Sequence, residues 1–574
     1  MANAIPRPEH PNPQLMREDW MNLNGVWMFE IDNGNSGRAR GLQTASRLNG
    51  SIRVPFCPES ELSTVGNKDF MAAVWYTRTV EIPAAWRASG RVLLHFGAVD
   101  YTAEVWVNGV SVGIHKGGYS AFTFDVTDAL TDGVNRITLC AQDDVRSGKQ
   151  PAGKQSDHYE SYGCSYTRTT GIWQTVWMEH VADTYVRSLR VVPDVSNGRA
   201  DVTVVLDGAP AVDVTAVCEA SYEGVPTASA SAAAHWRNAQ LTLSIPEPKL
   251  WEVGCGRLYD LTVKLVKNGE VTETVHSYFG MRDVDSDGTA IRINGKIVFQ
   301  RLILDQGFFP DGIYTARDES ELKADIERSM AMGFNGARLH QRVFEPRYLY
   351  WADKLGYLCW GEHANWRLWG DDASLLYFLP EWEEVVERDF SHPSIIGWCP
   401  YNETFGEQSP DVLRTVYETT RRLDPTRPVI DTSGWDHVIT DLYDTHDYAQ
   451  DPAELAANHA PVLNGEPPKA LKVKKETWNP KVPYFVSEFG GTRWSKLDGW
   501  GYGDGPKTEA EFLARYEGLV SALLANPKIC AFCYTQLTDV EQEQNGLYTY
   551  ERVPKFDPNV IAAITRKPAA IEQE

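Results

Sequence analysis

From about residue 284 onward, the chain alternates between helical and strand patterns, and this alternation restricts the fold more than any other feature. In one such unit, Asp318 and Glu321 have the spacing of a helix-capping box, apolar residues then recur with helical period, and Gly333 follows the last of them. Residues 334–339 come next and read as a buried strand. Parallel strands need a crossover long enough for a helix, so the alternation predicts a parallel sheet.

The same unit recurs along the rest of the chain. Helices are predicted near 344–355, 381–390, 410–423 and 508–525, and strands at 298–304, 334–339, 357–360, 395–399, 428–430, 441–446, 484–488 and 529–535. Eight strands with mostly helical links over roughly 290 residues have the count and size of a (β/α)8 TIM barrel. We therefore predict a barrel domain over residues 284–574.

The first half of the chain lacks long helical periodicity and reads as two β domains. Within residues 1–183, Asn108-Gly109 lies between two short strand patterns, which is a strong hairpin signal. Within residues 184–283, apolar and polar residues alternate as in strands, and about 100 residues of this kind are typical of an immunoglobulin-like sandwich. The predicted fold class is multidomain: a β-sandwich, an immunoglobulin-like β-sandwich and a C-terminal TIM barrel.

Composition narrows the range of partners. The 574 residues include 55 basic and 78 acidic side chains, a formal charge of −23, which argues against nucleic acid or an anionic membrane as the main partner. No window reaches the ~20 apolar residues of a membrane helix. The 19 Trp, 25 Tyr and 20 Phe are compatible with carbohydrate binding, although large β cores also use such residues.

The cysteines and the N-terminus bear on location. The nine cysteines are scattered and odd in number, which suits reduced, mostly buried thiols. Cys530 and Cys533 form the one close pair, but they lie in an apolar run that reads as a buried strand rather than a zinc or redox site. The first residues lack the basic start and apolar stretch of a signal peptide. We therefore expect a cytoplasmic location.

Polar side chains gather at the predicted strand ends. Active sites of TIM barrels lie at the C-terminal ends of the strands, so residues at those positions are candidates for the site. They are Asp305, Arg338, His340, Glu362, Asn402, Glu403, Trp435, His446, Tyr448, Glu488 and Tyr534.

Glu403 and Glu488 are the candidate catalytic pair. They follow strands 4 and 7, whose ends face each other across a barrel mouth. Carboxyl groups ~5–5.5 Å apart suit a retaining glycosidase, whereas ~6.5–9.5 Å suits an inverting one. One carboxyl must be protonated to donate to the leaving oxygen, and the other must be ionised to attack the anomeric carbon. The alternative is that either glutamate forms a salt bridge at the barrel rim.

With these residues the chain resembles glycoside hydrolase family 2, the family of β-galactosidases, β-glucuronidases and β-mannosidases. The resemblance covers nearly the whole chain. It rests on Asn24-Gly25-Val26-Trp27, Val74-Trp75-Tyr76-Thr77-Arg78, Val105-Trp106-Val107-Asn108-Gly109 and Gly171-Ile172-Trp173 in the first domain, on Leu250-Trp251, Leu258-Tyr259 and Phe279-Gly280-Met281-Arg282 in the second, and on Gly333-Phe334-Asn335-Gly336-Ala337-Arg338, Trp351-Ala352-Asp353-Lys354-Leu355-Gly356, Trp398-Cys399-Pro400-Tyr401-Asn402-Glu403 and Val486-Ser487-Glu488-Phe489-Gly490 in the barrel.

The resemblance implies a jelly-roll sugar-binding fold for residues 1–183 and a role for each site residue. Glu403 would be the general acid and then the general base, and Glu488 the nucleophile. Asn402 would hydrogen-bond the sugar 2-hydroxyl, and Tyr448 would orient Glu488. Arg338 would hold Glu488 ionised through its nearby positive charge, with a purely structural ion pair as the alternative.

Three departures from the family pattern affect the expected substrate. His340 is shifted by one residue from the usual histidine, and Tyr534 stands where the last strand often carries Trp. A glucuronidase would also need a cation for the uronic carboxylate, but the Asn-x-Lys clamp is absent and Lys555 lies in the wrong context. For this reason β-glucuronidase ranks below β-galactosidase on sequence grounds.

The predicted function is a retaining exo-β-glycosidase that removes terminal non-reducing sugars by double displacement, with β-galactosidase as the first activity. The alternatives are β-glucuronidase, β-mannosidase, α-L-arabinopyranosidase and, ranked last, a non-catalytic carbohydrate-binding protein. The expected partner is an oligosaccharide or glycoside, with no nucleic acid and no membrane, and a homo-oligomer is left open. Glu362 and His363 lie where some family members hold magnesium, but no full ligand set is recognisable, so we assign no metal and no cofactor.

Overall fold

The structure is a computed structural model that describes residues 5–404, 408–470 and 477–573. The N-terminal domain is an antiparallel β-sandwich. Its larger sheet contains, in spatial order, Gly50–Val54, Gly25–Ile31, Ala73–Glu81, Val134–Gln142, Thr102–Val107 and Val110–Lys116, and its smaller sheet contains Trp20–Asn22, Val176–Val181, Arg91–Phe96 and Phe122–Asp125. A two-stranded ladder, Val99–Asp100 with Gly171–Ile172, lies beside them. The inner faces enclose an apolar core that includes Trp27, Tyr76 and Phe96.

The hairpin predicted at Asn108-Gly109 forms between Thr102–Val107 and Val110–Lys116. Asn108 and Gly109 both have positive φ angles, 53° and 81°, as a two-residue type I′ hairpin turn requires. Asn and Gly adopt such angles at little cost, and the twist of this turn matches that of the two strands.

The second domain is a sandwich of two antiparallel sheets. One sheet contains Thr184–Asp194, Arg199–Gly208 and Asn238–Ser244, and the other contains Val225–Ala233, Val214–Tyr222, Tyr259–Lys267 and Glu270–Phe279. Side chains along Arg199–Gly208 alternate between buried and partly exposed, because successive residues of a strand point to opposite faces. A small sheet of Val284–Ser286, Ile291–Ile293 and Lys296–Ile297 then leads into the barrel.

Seven parallel strands form the curled sheet of the third domain. In spatial order they are Ile395–Cys399, Leu358–Glu362, Gly336–Leu339, Gln300–Asp305, Ile529–Thr535, Tyr484–Gly490 and Tyr443–Asp447, which are strands 4, 3, 2, 1, 8, 7 and 6 of the predicted barrel. All seven consist of buried residues, as expected for parallel strands covered on both faces. Cys530 and Cys533 lie within the last strand, and both are free thiols.

The fifth strand is shorter than a regular barrel strand. Residues 428–430 were predicted as that strand, but only a single bridge, Trp398 with Val429, forms there. The regular pairing comes two residues later, where Thr432–Ser433 lies parallel to Tyr401–Asn402. The Asp444 side chain connects this strand to strand 6. Its carboxylate accepts hydrogen bonds from the Ser433 hydroxyl at 2.7 Å and the Gly434 N–H at 3.0 Å.

Helices cover the outside of the barrel at Glu319–Ala331, Pro346–Leu355, Leu375–Asp389, Pro410–Leu423, Pro452–His459, Glu509–Leu524 and Pro558–Thr565. A short helix, Ala84–Ala88, belongs to the first domain. The helix Leu375–Asp389 begins six residues before the predicted start at 381. It contains Pro380 in its second turn, although a proline normally indicates a helix start. None of the described helices combines the length and apolar character that a membrane crossing requires.

Candidate active site

Glu403 and Glu488 meet at the C-terminal mouth of the barrel. An oxygen of each carboxylate and a ring nitrogen of His446 all lie within 4.8 Å of one another. Glu488 is on strand 7, whereas Glu403 follows the short strand Tyr401–Asn402. Nearest oxygens this close agree with the ~5–5.5 Å carboxyl spacing of retaining glycosidases better than with the ~6.5–9.5 Å spacing of inverting ones.

The backbone around Glu403 projects its side chain into the mouth. The Glu403 N–H donates to the Ser433 carbonyl at 3.0 Å, which attaches it to strand 5. Its φ angle is +45°, a conformation uncommon for residues other than glycine and found more often at functional sites. Its side chain is 20% exposed, whereas that of Glu488 is 5% exposed, so Glu403 is the carboxylate on the solvent side of the pair.

Arg338, on strand 2, links several groups beneath the mouth. Its guanidinium donates to Glu488 at 3.1 Å, to Glu362 at 2.7 and 3.1 Å, and to the Asn402 side-chain oxygen at 3.0 Å. A further hydrogen bond of 2.8 Å reaches the Ser487 carbonyl. The planar guanidinium can serve these acceptors together because its donors are fixed in a fork. Arg338 is therefore bonded to the candidate nucleophile directly.

Asn402 is held in one orientation with a free donor. Its side-chain oxygen accepts from Arg338 at 3.0 Å, and its backbone N–H donates to the Asn365 side-chain oxygen at 2.9 Å. The Asn402 amide nitrogen is buried without a hydrogen-bond partner among the described residues. A buried donor of this kind is costly unless a ligand completes it, so the Asn402 amide is available to an acceptor bound in the mouth.

Tyr448 contacts the other oxygen of Glu488. The Tyr448 hydroxyl donates a short hydrogen bond to Glu488 Oε2 and lies 3.2 Å from the Thr535 hydroxyl. Its ring stacks on Tyr502 with the centroids 3.4 Å apart. Glu488 is thus held by Arg338 at one oxygen and by Tyr448 at the other, which restricts the rotation of its carboxylate.

His446 lies between the two carboxylates. Its Nδ1 is 2.7 Å from Glu403 Oε1 and 3.4 Å from Glu488 Oε2, and its Nε2 is 3.1 Å from the Ser433 hydroxyl. Burial works to lower the pKa of His446, but the charge of Glu488 and the hydrogen bond to Glu403 outweigh it and raise the pKa above its usual value. Burial works to raise the pKa of Glu403, yet the hydrogen bond and charge of His446 hold it below its usual value. Each of the two groups therefore favours the charged form of the other.

His340 and Glu362 form the lower layer of the site. His340 Nδ1 is 3.0 Å from Glu362 Oε1 and 4.0 Å from Glu488 Oε1. Burial, followed by the charge of Lys154, lowers the pKa of His340 well below its usual value, so this imidazole is neutral. Burial raises the pKa of Glu362 despite the nearby Arg338. Glu362 was predicted to bind substrate, but its side chain has no exposed surface and is paired with Arg338.

Two residues predicted to bind substrate, Asp305 and Tyr534, have side chains that point away from the mouth. Asp305 accepts from the Gly307 N–H at 2.9 Å and from the Tyr348 hydroxyl at 3.2 Å, so it faces the outer helix Pro346–Leu355. In the register of strands 1 and 2, Asp305 pairs with Leu339, whereas Leu304 pairs with the inward-facing Arg338. Successive residues of a strand alternate in direction, so Asp305 points away from the site.

Tyr534 faces outward for the same reason. Its ring packs against Tyr516, on the outer helix Glu509–Leu524, with the centroids 5.1 Å apart. The next residue, Thr535, reaches the mouth and contacts Tyr448. Trp435 lies half-buried in the loop that follows strand 5, next to Gly434. At Gly434, with φ +83°, a Cβ atom would lie 2.2 Å from the His446 ring, so only glycine allows this close approach.

Several residues of the site carried no sequence signal. Thr535 and Ser433 are small hydroxyl residues in apolar strands, and neither belongs to a recognisable motif. Lys154 comes from a loop of the first domain, and only the folded chain brings it to the barrel. The barrel loops that it contacts are far away in sequence, so no local spacing could have identified it.

The trio of Glu403, His446 and Glu488 also has metal-ligand chemistry. It is the one group of three such side chains found within the parts of the chain that the structure describes. His446 Nδ1 is already shared with Glu403, and Glu488 accepts from Tyr448 and Arg338. The arrangement suits proton transfer and nucleophilic attack better than ion binding, because its donors and acceptors satisfy one another.

Family models match each of the three domains. Residues 59–177 match the sugar binding domain of glycosyl hydrolases family 2, residues 184–282 match glycosyl hydrolases family 2, and residues 316–495 match the family's TIM barrel domain. Together these segments cover more than half of the chain. They agree with the two sandwiches and the barrel.

Individual proteins also resemble the chain. A Beta-glucuronidase of Paenibacillus borealis is 25% identical over 451 residues, which cover 73% of this chain and 74% of the relative. Beta-galactosidase 2 of Enterobacter cloacae is 28% identical over 447 residues, which cover 73% of this chain but only 41% of that relative. The β-glucuronidase from Ruminococcus gnavus in complex with D-glucuronic acid superposes with a TM-score of 0.80 at 19% identity, over 96% of this chain and 99% of that one, which shows a shared fold.

Proposed function

This chain belongs to glycosyl hydrolase family 2, and from that premise we propose that it is a retaining exo-β-glycosidase with Glu403 as acid/base and Glu488 as nucleophile. The observation that carries the proposal is the distance between the two carboxylates, no more than 4.8 Å between their nearer ligand atoms. Two carboxylates this close can act on opposite sides of one anomeric carbon.

The first step breaks the glycosidic bond. Glu488 Oε attacks C1 of the sugar while Glu403 gives a proton to the leaving oxygen, which yields a glycosyl-enzyme and a free alcohol. In the second step Glu403 takes a proton from water, the water attacks C1, and Glu488 is released with the anomeric configuration retained. Arg338 and Tyr448 hold the Glu488 carboxylate in one orientation, and the free donor of Asn402 serves the 2-hydroxyl.

The proton for the first step is stored on the pair of His446 and Glu403. The two groups are 2.7 Å apart, so the proton needs to move only along one hydrogen bond. Substrate binding excludes water and places the uncharged leaving oxygen beside Glu403, which favours the protonated carboxyl. His446 then acts as a positioning residue that delivers the proton to the acid.

The glycone is the finer part of the proposal. β-Glucuronides are the first candidate, since the relatives of similar length and the similar solved structures are named β-glucuronidases. β-Galactosides are the second, supported by the Enterobacter cloacae relatives named β-galactosidases, of which this chain spans 41% and 35%. The sequence alone had placed these two candidates in the opposite order.

A panel of p-nitrophenyl glycosides tests this proposal, with proton NMR to identify the first anomer released. We expect turnover of β-anomers with retention. Glu488→Gln should abolish turnover, because the amide is a poor nucleophile. Glu403→Gln should slow substrates with poor leaving groups by about 10²–10⁴-fold and activated aryl glycosides much less in the first step.

Glu454→Gln, at an exposed position of the outer helix Pro452–His459, is the matched control and should behave as the wild type. Release of the α-anomer first, or unchanged turnover in Glu488→Gln, would contradict the mechanism.

A further inference from the structure

Lys154 reaches the barrel mouth from the N-terminal domain. Two neighbouring N–H groups attach its loop to the barrel, because Ala152 donates to the Trp366 carbonyl at 3.1 Å and Gly153 donates to the Ala364 carbonyl at 3.2 Å. Gly153 has φ +53°, and a Cβ atom there would lie 2.3 Å from the Gln341 carbonyl oxygen. The loop is therefore fixed against the segments that follow barrel strands 2 and 3.

The Lys154 ammonium is buried but has no partner. The residue is 6% exposed, and its Nζ makes no hydrogen bond or ion pair with any described residue. It lies 5.5 Å from the ring centroid of Trp366 and 5.9 Å from that of Tyr166. The Trp366 indole in turn donates to the Asn402 carbonyl at 3.0 Å, so Lys154 stands beside the segment that carries Glu403.

The charge of Lys154 is retained. Burial works to lower its pKa, but the surrounding carboxylates, with Glu543 the strongest and Glu488 and Glu403 contributing, raise the pKa above its usual value. The Lys154 Nζ keeps some accessible surface, so its donors are open to water or to an acceptor that a ligand supplies.

Glu543 does not serve as that acceptor. Its two oxygens accept from the Tyr166 hydroxyl and from the Asn545 side chain, the latter at 3.1 Å. Among the described residues, Glu543 acts on Lys154 through its charge and not through a hydrogen bond. Glu543 thus lowers the electrostatic cost of the buried cation from a distance and leaves the ammonium donors free.

The other cations of the mouth are already engaged. Arg338 donates to Glu362, Glu488 and neighbouring oxygens, and His446 is bonded to Glu403. Burial lowers the pKa of His340 well below its usual value, which favours its neutral form. Within the described residues of the mouth, Lys154 is the cation whose donors remain open to a substrate.

We propose that Lys154 binds the carboxylate of an anionic glycone, so that the N-terminal domain selects β-uronides over β-hexosides. This inference rests on the proposed glycosidase function and names the class of its substrate. The carboxylate of a uronic acid is charged, whereas the hydroxyl groups of a sugar are neutral. A lysine ammonium pairs with this carboxylate through charge-assisted hydrogen bonds. Lys154 would supply the cation that a uronic carboxylate needs.

The test compares p-nitrophenyl β-D-glucuronide with p-nitrophenyl β-D-glucoside, which differ at C6 alone. The wild type should prefer the glucuronide. In Lys154→Met, which keeps the volume and removes the charge, the ratio of the two kcat/KM values should fall about 100-fold, in line with the loss of hydrogen bonds to a charged group. Lys154→Arg should retain most of that ratio. Titration calorimetry should show weaker binding of free D-glucuronate to Lys154→Met than to the wild type.

Lys149→Met is the control, because Lys149 lies in the same region, is exposed and also stands over a tryptophan ring, at 5.6 Å from Trp369. It should leave the ratio unchanged. A wild type that cleaves β-hexosides but prefers them to glucuronides overturns the role of Lys154 while the glycosidase proposal stands. An unchanged ratio in a folded Lys154→Met also overturns it. A wild type that cleaves no glycoside overturns the proposed function itself.

Discussion

Replacing Arg338 by methionine should lower both the free energy of unfolding and the activity. The two losses should come from different partners of the guanidinium. The guanidinium is fully buried and pairs with Glu362, whose side chain has no exposed surface. Removing one member of a buried ion pair typically costs about 3–5 kcal/mol, because the other charge is left without compensation. At about 2 °C per kcal/mol for a domain of this size, Arg338→Met should lower the apparent melting temperature by about 6–10 °C.

The loss of activity has a separate cause. Arg338 donates charge-assisted hydrogen bonds to Glu488 and orients the Asn402 amide. Each such bond contributes about 1.5–3 kcal/mol, so kcat/KM on an aryl glycoside should fall at least about 100-fold. The two effects can be separated by adding Glu362→Gln, which removes the stranded charge. The double variant should regain about 1–3 kcal/mol of stability and none of the activity.

Thermal melts and initial rates on the single and double variants provide the measurement. Arg422→Met is the matched control, because Arg422 is 72% exposed and its ion pair with Glu383 is long, at 3.9 Å. This substitution should change the free energy of unfolding by less than about 0.5 kcal/mol. The reasoning fails if Arg338→Met costs less than about 1 kcal/mol, or if Glu362→Gln restores turnover together with stability.

Three further outcomes follow from the site. Tyr448→Phe removes the hydrogen bond to Glu488 and should lower kcat/KM about 10–100-fold, measured on aryl glycosides; an unchanged value would show that this bond does not support the nucleophile. The alkaline limb of the kcat/KM profile against pH should have an apparent pKa above about 6.5, because the raised pKa of His446 keeps the proton bound to higher pH. An alkaline limb with a lower apparent pKa would contradict proton storage on His446 and Glu403. Tyr534→Phe should change activity less than about 2-fold in the same assay, because the ring faces the outer helix, and a loss above about 10-fold would place it at the sugar.

The architecture could be predicted from sequence because it depends on local, repeated patterns. Seven of the eight predicted barrel strands form in one parallel sheet, and the hairpin at Asn108-Gly109 has the turn that its residues favour. Glu403 and Glu488 were also found from sequence, since each follows a strand whose end must lie at the barrel mouth. The sheet geometry then brings together carboxylates that are 85 residues apart.

Side-chain direction and contacts between domains depended on the tertiary structure. Asp305 and Tyr534 are at strand ends, as predicted, but a shift of one residue in a strand reverses the face, and the pairing register alone decides it. Lys154 reaches the mouth because the first domain packs on the barrel, and no spacing within the sequence encodes that distance. Residue patterns along the chain predict which strands and helices form and at which strand ends the polar side chains lie. Packing decided which side chains face the sugar, because burial and register are properties of the assembled chain.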